Sequence, residues 1–383
     1  MRRICYFALM ALMLIPAASC SQRVLCAGGM PVTGYEEPVD TLPDIIKKIE
    51  VIPLEVTENS MLKGIVQVEC VNSSYIVSDD SDRIFRFSSK GKYLNRIGNE
   101  GRAEAEYLRV DTFMIDSLNR VVIFDGATDK LLIFNPDGTF VKVIRFPSGT
   151  LRFINAGVQL KGDNMLVNDR IFNYGNTLYS LLSTHEKKKK EIANTPLRSP
   201  EVACYIGEHP ISMWKGNLKF LKPFDKRIYT LNDKDEIVPV MTIATSKKLA
   251  GDDILSKPEE TNKIFLNIRK KGYFEGFTSI FETEKYILLD NWHNDEFLID
   301  KSTMTGYRIR DNEIIDSMLM VPRMSIIAST DDSFISGMDS ITLMVVNDMF
   351  DNNMPGYKKP EFLQKINSFP KDANPCLVKF VMK

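Results

Sequence analysis

The chain has 383 residues, 44% of them hydrophobic and 26% charged, with 49 basic residues against 50 acidic. That apolar fraction excludes wholesale disorder, and the balanced charge argues against a nucleic-acid binder, which carries a basic excess or a basic stripe. Histidine occurs only 3 times, so a His-rich metal centre would need nearly all of them.

The N-terminus carries an export pattern. Arg2 and Arg3 form a positive region before the short apolar run Tyr6 to Ile15. That run falls short of the roughly 20 apolar residues a membrane span needs. Ala17-Ala18-Ser19 followed by Cys20 resembles a bacterial lipobox, in which a peptidase cuts before a cysteine already joined to diacylglycerol. One departure is Ala17, where Leu is usual; the alternative is an ordinary Ala-x-Ala cleavage with Cys20 incidental. The expectation is a signal peptide over 1–19, lipidation (palmitate included) at Cys20, a Gly- and Pro-rich tether over 20–43, and a folded body over 44–383. Beyond Cys20, the cysteines Cys26, Cys70, Cys204 and Cys376 are too scattered for a disulfide framework and form no CxxC, so free thiols are expected.

Internal repetition carries the fold argument. Tyr75 to Ile97 and Val122 to Ile144 superpose at an offset of about 47 residues, placing Arg83 on Lys130, Phe87 on Phe134 and Gly91 on Gly138. Each copy reads as an apolar strand, an Asp-rich turn, an alternating strand, a Lys-Gly or Asp-Gly turn, and a further strand. Thr112 to Ile115 adds a strand before the second copy. Four strands in roughly 40 to 50 residues make a propeller blade. Weaker copies follow at Met165 to Asn168 with Leu178 to Leu182, at Lys226 to Ile237, at Tyr286 to Tyr307, and, most eroded, at Ser333 to Asn347. The spacing therefore predicts an all-β, six-bladed β-propeller of four-stranded antiparallel blades. Short helical insertions are predicted over Asp252 to Lys271 and Lys359 to Ile366. Free sheet edges invite aggregation. Either Glu50 to Val56 or Cys376 to Met382 should therefore complete the sheet at the other end of the chain.

The chain resembles the six-bladed propeller lipoproteins of Bacteroidetes, related to NHL-repeat propellers. The residues that carry the resemblance are Ile52-Pro53-Leu54-Glu55, Ile97-Gly98-Asn99-Glu100-Gly101 with Glu106-Tyr107, the tips Lys90-Gly91-Lys92-Tyr93 and Asp137-Gly138-Thr139-Phe140, and Asn374-Pro375-Cys376-Leu377-Val378. Where the family often has Gly-Pro-Gly-Glu-Tyr, this chain has Ala103-Glu104-Ala105-Glu106-Tyr107. The Glu-Tyr pair is expected to pack one blade on the next. The resemblance implies a cell-envelope protein on the outer membrane. Surface-exported members carry acidic residues just after the lipidated cysteine. Ser21-Gln22-Arg23-Val24 has none, which places the propeller on the periplasmic side.

Chemistry is sparse. GxSxG, HExxH, Walker A and EF-hand patterns are all missing from the sequence. Asp79, Asp80 and Asp82 fall in a repeat turn, where Asp caps its own backbone, so they read as turn residues and not as a metal site. Lys187 to Lys190 reads as a solvated hairpin. Asn291, Trp292, His293 and Asp295 form the most ligand-like stretch, able to bind a sugar or a small polar molecule; a rim-packed loop is the alternative. The expected role is a binding or scaffold module for a glycan, peptide or envelope protein. No metal, cofactor or nucleic-acid partner is expected. The alternative is a propeller enzyme of the NHL or strictosidine-synthase-like kind, a metal-dependent lyase or hydrolase, whose three-His site would require His185, His209 and His293 to converge.

Overall fold

The computed structural model describes residues 28–36, 45–169, 177–194, 209–255, 261–291, 296–309, 326–353, 364 and 373–383. It is a ring of six four-stranded antiparallel blades. Blade 1 comprises Gln67–Val71, Ser74–Ser78, Ile84–Ser88 and Tyr93–Arg96. Blade 2 comprises Thr112–Ile115, Val121–Asp125, Lys130–Phe134 and Phe140–Arg145. Blade 3 comprises Ile154–Gln159, Asn164–Asp169, Thr177–Ser183 and Lys188–Asn194. Blade 4 comprises Ile211–Trp214, Asn217–Leu221, Arg227–Leu231 and Ile237–Ile243, and blade 5 Ser279–Glu282, Tyr286–Asp290, Glu296–Asp300 and Thr305–Ile309. Blade 6 is assembled from both ends of the chain: Ile326–Ser329, Ser333–Met338, Cys376–Met382 and, outermost, Ile46–Pro53.

The apolar runs of the middle strands follow from burial on both faces. Successive side chains of a strand point to opposite sides. In Lys130–Phe134, Leu132 and Phe134 therefore join the core between blades 1 and 2, whereas Leu131 and Ile133 join the core between blades 2 and 3. The same division recurs in blade 5, with Ile287 and Leu289 facing blade 4 and Leu288 facing blade 6. Each of the six seams has its own cluster, and each fully buried Leu, Ile or Phe contributes about 1.5–3 kcal/mol.

Turn chemistry matches the repeat. Gly91 has φ +78°, and a Cβ there would lie 2.0 Å from the Pro53 carbonyl oxygen, so backbone conformation and close approach both demand glycine. Asp79 accepts hydrogen bonds from the Ser81 and Arg83 amides and pairs with the Arg83 guanidinium at 2.5 Å, the turn role expected of it. Asp82 and Asp129, related by the repeat, both adopt positive φ.

Ring closure uses both termini. Ile46–Pro53 pairs antiparallel with Cys376–Met382, Ile52 opposite Leu377. The family-like residues around this joint form a clasp. Asn374 Nδ2 donates to the Glu55 and Ser60 carbonyls at 3.0 and 2.7 Å, and its Oδ1 accepts from the Leu62 amide at 2.8 Å. Glu55 in turn accepts from the Tyr93 amide at 2.8 Å, tying the closing strand to blade 1. Tyr107 is fully buried between blades 1 and 2, the packing role expected of the Glu-Tyr pair.

Three elements depart from the sequence reading. Within the expected tether, Met30–Val32 forms a fifth strand, parallel to Ile237–Ile243 of blade 4. Tyr35 then inserts among Phe274, Phe277 and Phe297 at the seam with blade 5. The last eroded repeat is a strand only as far as Met338; Ser340–Asn353 is a helix, started by Asp339, whose carboxylate accepts from the Thr342 amide at 2.7 Å. Lys189 of the expected solvated hairpin instead pairs with buried Asp169. The first helical insertion appears as Asp252–Leu255 and Thr261–Lys270. The second lies outside the described residues apart from Gln364.

Candidate functional site

The inner strands of the six blades contact one another in ring order and enclose a central channel of about 1610 Å³. Antiparallel pairing puts the turns between first and second strands at one end of the ring. The turns between second and third strands lie at the other. The channel is lined down to the first set of turns, including Asp116, Ser117 and Asn119, Lys161-Gly162 and Trp214-Lys215-Gly216.

Trp214 dominates that mouth. It ends the inner strand of blade 4, just before a hairpin turn in which Lys215 takes φ +47°. The Lys301 and Lys215 ammonium groups lie 3.7 and 4.6 Å from its ring centroid, and its Nε1 donates to Asp331 Oδ1 at 3.2 Å. Lys215 pairs with Glu284, which raises the lysine above its ordinary range and lowers the carboxyl. Beneath this exposed layer, buried Glu282 bridges Lys219 at 2.8 and 2.9 Å and Lys301 at 2.8 Å. The mouth thus presents an indole and Lys215, held by charged groups of both signs from blades 5 and 6.

Deeper in the channel lie Glu69 and Cys70 of blade 1 and His209, which precedes the inner strand of blade 4. Burial raises the Glu69 carboxyl to about 7, opposed by the Gln67 amide, which donates to it at 3.3 Å. Burial also pushes the Cys70 thiol up to about 12, and it lowers the His209 imidazole to about 4. Cys70 and Cys376 are free thiols; Cys26 and Cys204 lie outside the described residues.

Of the stretch expected to bind ligand, Asn291 is buried at the end of blade 5 opposite the Trp214 turn and does not line the channel. Trp292, His293 and Asp295 lie outside the described residues, as does Cys20. His185 sits in an outer turn of blade 3 and His209 on the channel wall, so these two do not converge as a three-His metal site would require. Among the described residues no group of three His, Cys, Asp or Glu side chains is placed to hold a metal ion. Sequence reasoning passed over Trp214 and Glu69. The available signal was the repeat itself, because the residues at the end of each first strand form the channel mouth.

No curated protein matches the sequence. Among solved structures, the fold is similar to that of a Bacteroides fragilis protein described as a candidate exported protein, at 19% identity and a TM-score of 0.70, covering 92% of this chain and 99% of the other. It is also similar to a DUF4221 family member from Bacteroides vulgatus, at 10% identity and a TM-score of 0.53, covering 89% of this chain and 98% of the other. These likenesses agree with the six-bladed ring. The family model described as a domain of unknown function, DUF4934, matches residues 32–380, and the chain belongs to that family.

Proposed function

We propose that this chain is an exported, lipid-anchored recognition propeller that captures a glycan or peptide segment at the mouth of its central channel. The observation that carries the reading is the Trp214 mouth. There Trp214 and Lys215 line the opening, and Lys301, Glu284 and Asp331 of blades 5 and 6 contact them and fix their positions. Amphipathic aromatic residues with fixed polar neighbours are what polar ligands need for orientation, and propeller loops converge on such openings. Export is supported by the signal-like segment ending at Cys20 and by the description of the Bacteroides fragilis protein of similar fold. An outer-membrane anchor with the propeller facing the periplasm fits the lack of acidic residues in Ser21 to Val24.

Glycan and peptide arrays probed with wild-type protein and with Trp214→Ala test the reading. Binding of a defined glycan or peptide class by the wild type, lost in the variant at unchanged melting temperature, is expected. Array binding that ignores the substitution would move the site away from the channel.

A further inference from the structure

We infer that the interior of the channel is a site for a small organic cation: an apolar body whose ammonium group pairs with Glu69 and whose far end hydrogen-bonds His209. The inference rests on the channel being the binding site, but not on which polymer its mouth takes.

Among the described residues, no cation pairs with the Glu69 carboxylate. Among the described residues its one hydrogen bond comes from Gln67 Nε2 at 3.3 Å, and none of their cations shifts its protonation equilibrium. Two other carboxylates of the wall, at the ends of the inner strands of blades 2 and 5, are compensated. Asp116 pairs with Arg120 at 2.7 Å, and Glu282 is held by two lysines. A half-buried carboxylate without a partner still carries a desolvation cost, and a ligand ammonium would offset it.

His209 supplies an independent observation. Its Nε2 is buried and has no hydrogen-bond partner among the described residues, and its ring packs against Phe281 with centroids 5.0 Å apart. With burial lowering it to about 4, the imidazole is neutral at physiological pH and offers Nε2 as a hydrogen-bonding atom rather than a charge.

The ring places these groups on facing walls. Gln67, Glu69 and Val71 share one strand face, and both Gln67 and Val71 contact blade 2, so Glu69 lies at the seam of blades 1 and 2. The His209 carbonyl accepts from the Ile280 amide at 2.9 Å, which sets His209 at the seam of blades 4 and 5. In a six-bladed ring those seams are diametrically opposed. Between them the wall presents half-buried Ile115, Val158, Met213 and Ile327, one each from blades 2, 3, 4 and 6. An anion would be repelled by Glu69, and a neutral apolar molecule would leave it unpaired. An amine with an apolar body and a second polar end matches the whole lining.

The test titrates tyramine, its anionic counterpart 3-(4-hydroxyphenyl)propionate and its neutral counterpart 4-ethylphenol calorimetrically into full-length protein in detergent at about pH 8. Tyramine is expected to saturate one site and to bind at least about tenfold more tightly than either counterpart. Glu69→Gln should weaken tyramine by about tenfold or more while melting no lower than the wild type, and His209→Phe should weaken it by a smaller factor at an unchanged melting temperature. Should Glu69→Gln disturb folding, the three probes on the wild type decide alone. Equal binding of the three probes, tyramine binding undiminished in a folded Glu69→Gln variant, or no saturation by tyramine would each overturn the assignment. Array capture that depends on Trp214 while tyramine fails to bind would overturn this inference alone and leave the reading of the mouth intact.

Discussion

Lys219 and Glu282 form a buried ion pair across the seam of blades 4 and 5, Nζ lying 2.9 and 2.8 Å from the two carboxylate oxygens. Lys301 reaches the same carboxylate at 2.8 Å, so one anion holds two cations directly beneath Trp214. Removing the shared partner leaves both ammonium groups uncompensated. Glu282→Gln should therefore cost about 3–5 kcal/mol in urea unfolding. A loss below about 1 kcal/mol would show that water already screens the pair.

Closure by Cys376–Met382 predicts a global response to truncation. This strand pairs with Ser333–Met338 on one side and Ile46–Pro53 on the other. Deleting residues 371–383 frees the closing strand and opens the edge of blade 6. The cooperative thermal transition should disappear, and limited proteolysis should cut in several blades. Cleavage confined to blade 6 would indicate local fraying instead.

Tyr35 tests the N-terminal segment that carries the Met30–Val32 strand. Its ring packs edge-on against Phe274, Phe277 and Phe297 at centroid distances of 5.2, 6.0 and 5.3 Å, and it is 3% exposed. Tyr35→Ala should lower stability by about 3–5 kcal/mol, as truncation of a buried aromatic does. A change within about 0.5 kcal/mol would mean that this N-terminal segment is dispensable for folding.

Glu69 and His209 predict a two-sided pH dependence. The folded state holds the Glu69 proton more tightly, at about 7 against the ordinary 4.5, so its ionisation opposes folding. That contribution is complete below about 4.5 and is lost as pH rises through about 7, by up to about 3 kcal/mol. His209 acts in the opposite direction: with its value lowered from 6.5 to about 4, stability falls as pH drops through that interval. Urea midpoints across the pH range should show Glu69→Gln flattening the alkaline limb and His209→Gln the acid limb.

Cys20→Ala tests the anchor. A diacylated cysteine buries acyl CH₂ groups at about 0.8 kcal/mol each, enough to retain the protein on a membrane. The variant should leave the membrane fraction. In intact cells the wild type should resist added protease, and ready digestion would place the propeller on the outer surface.

What the sequence determined by itself was local and repeated. Strand alternation and turn glycines such as Gly91 and Gly138 depend on neighbouring residues, so a single chain displays them, and their recurrence yields six blades. The strand potential of Glu50 to Val56 and Cys376 to Met382 was equally legible. Ser340–Asn353 misled because Ile341, Val345 and Val346 favour strands in isolation, whereas Asp339 capping starts a helix there. Only the tertiary structure decided that Met30–Val32 would extend blade 4, a pairing that the sheet's outer edge accepts through backbone groups with no side-chain signature. It alone brought Glu69, His209 and Trp214 into one channel, because ring closure joins positions far apart in the chain. The chemistry of those side chains depends on which neighbours the ring supplies: two lysines meet Glu282, and among the described residues no cation compensates Glu69.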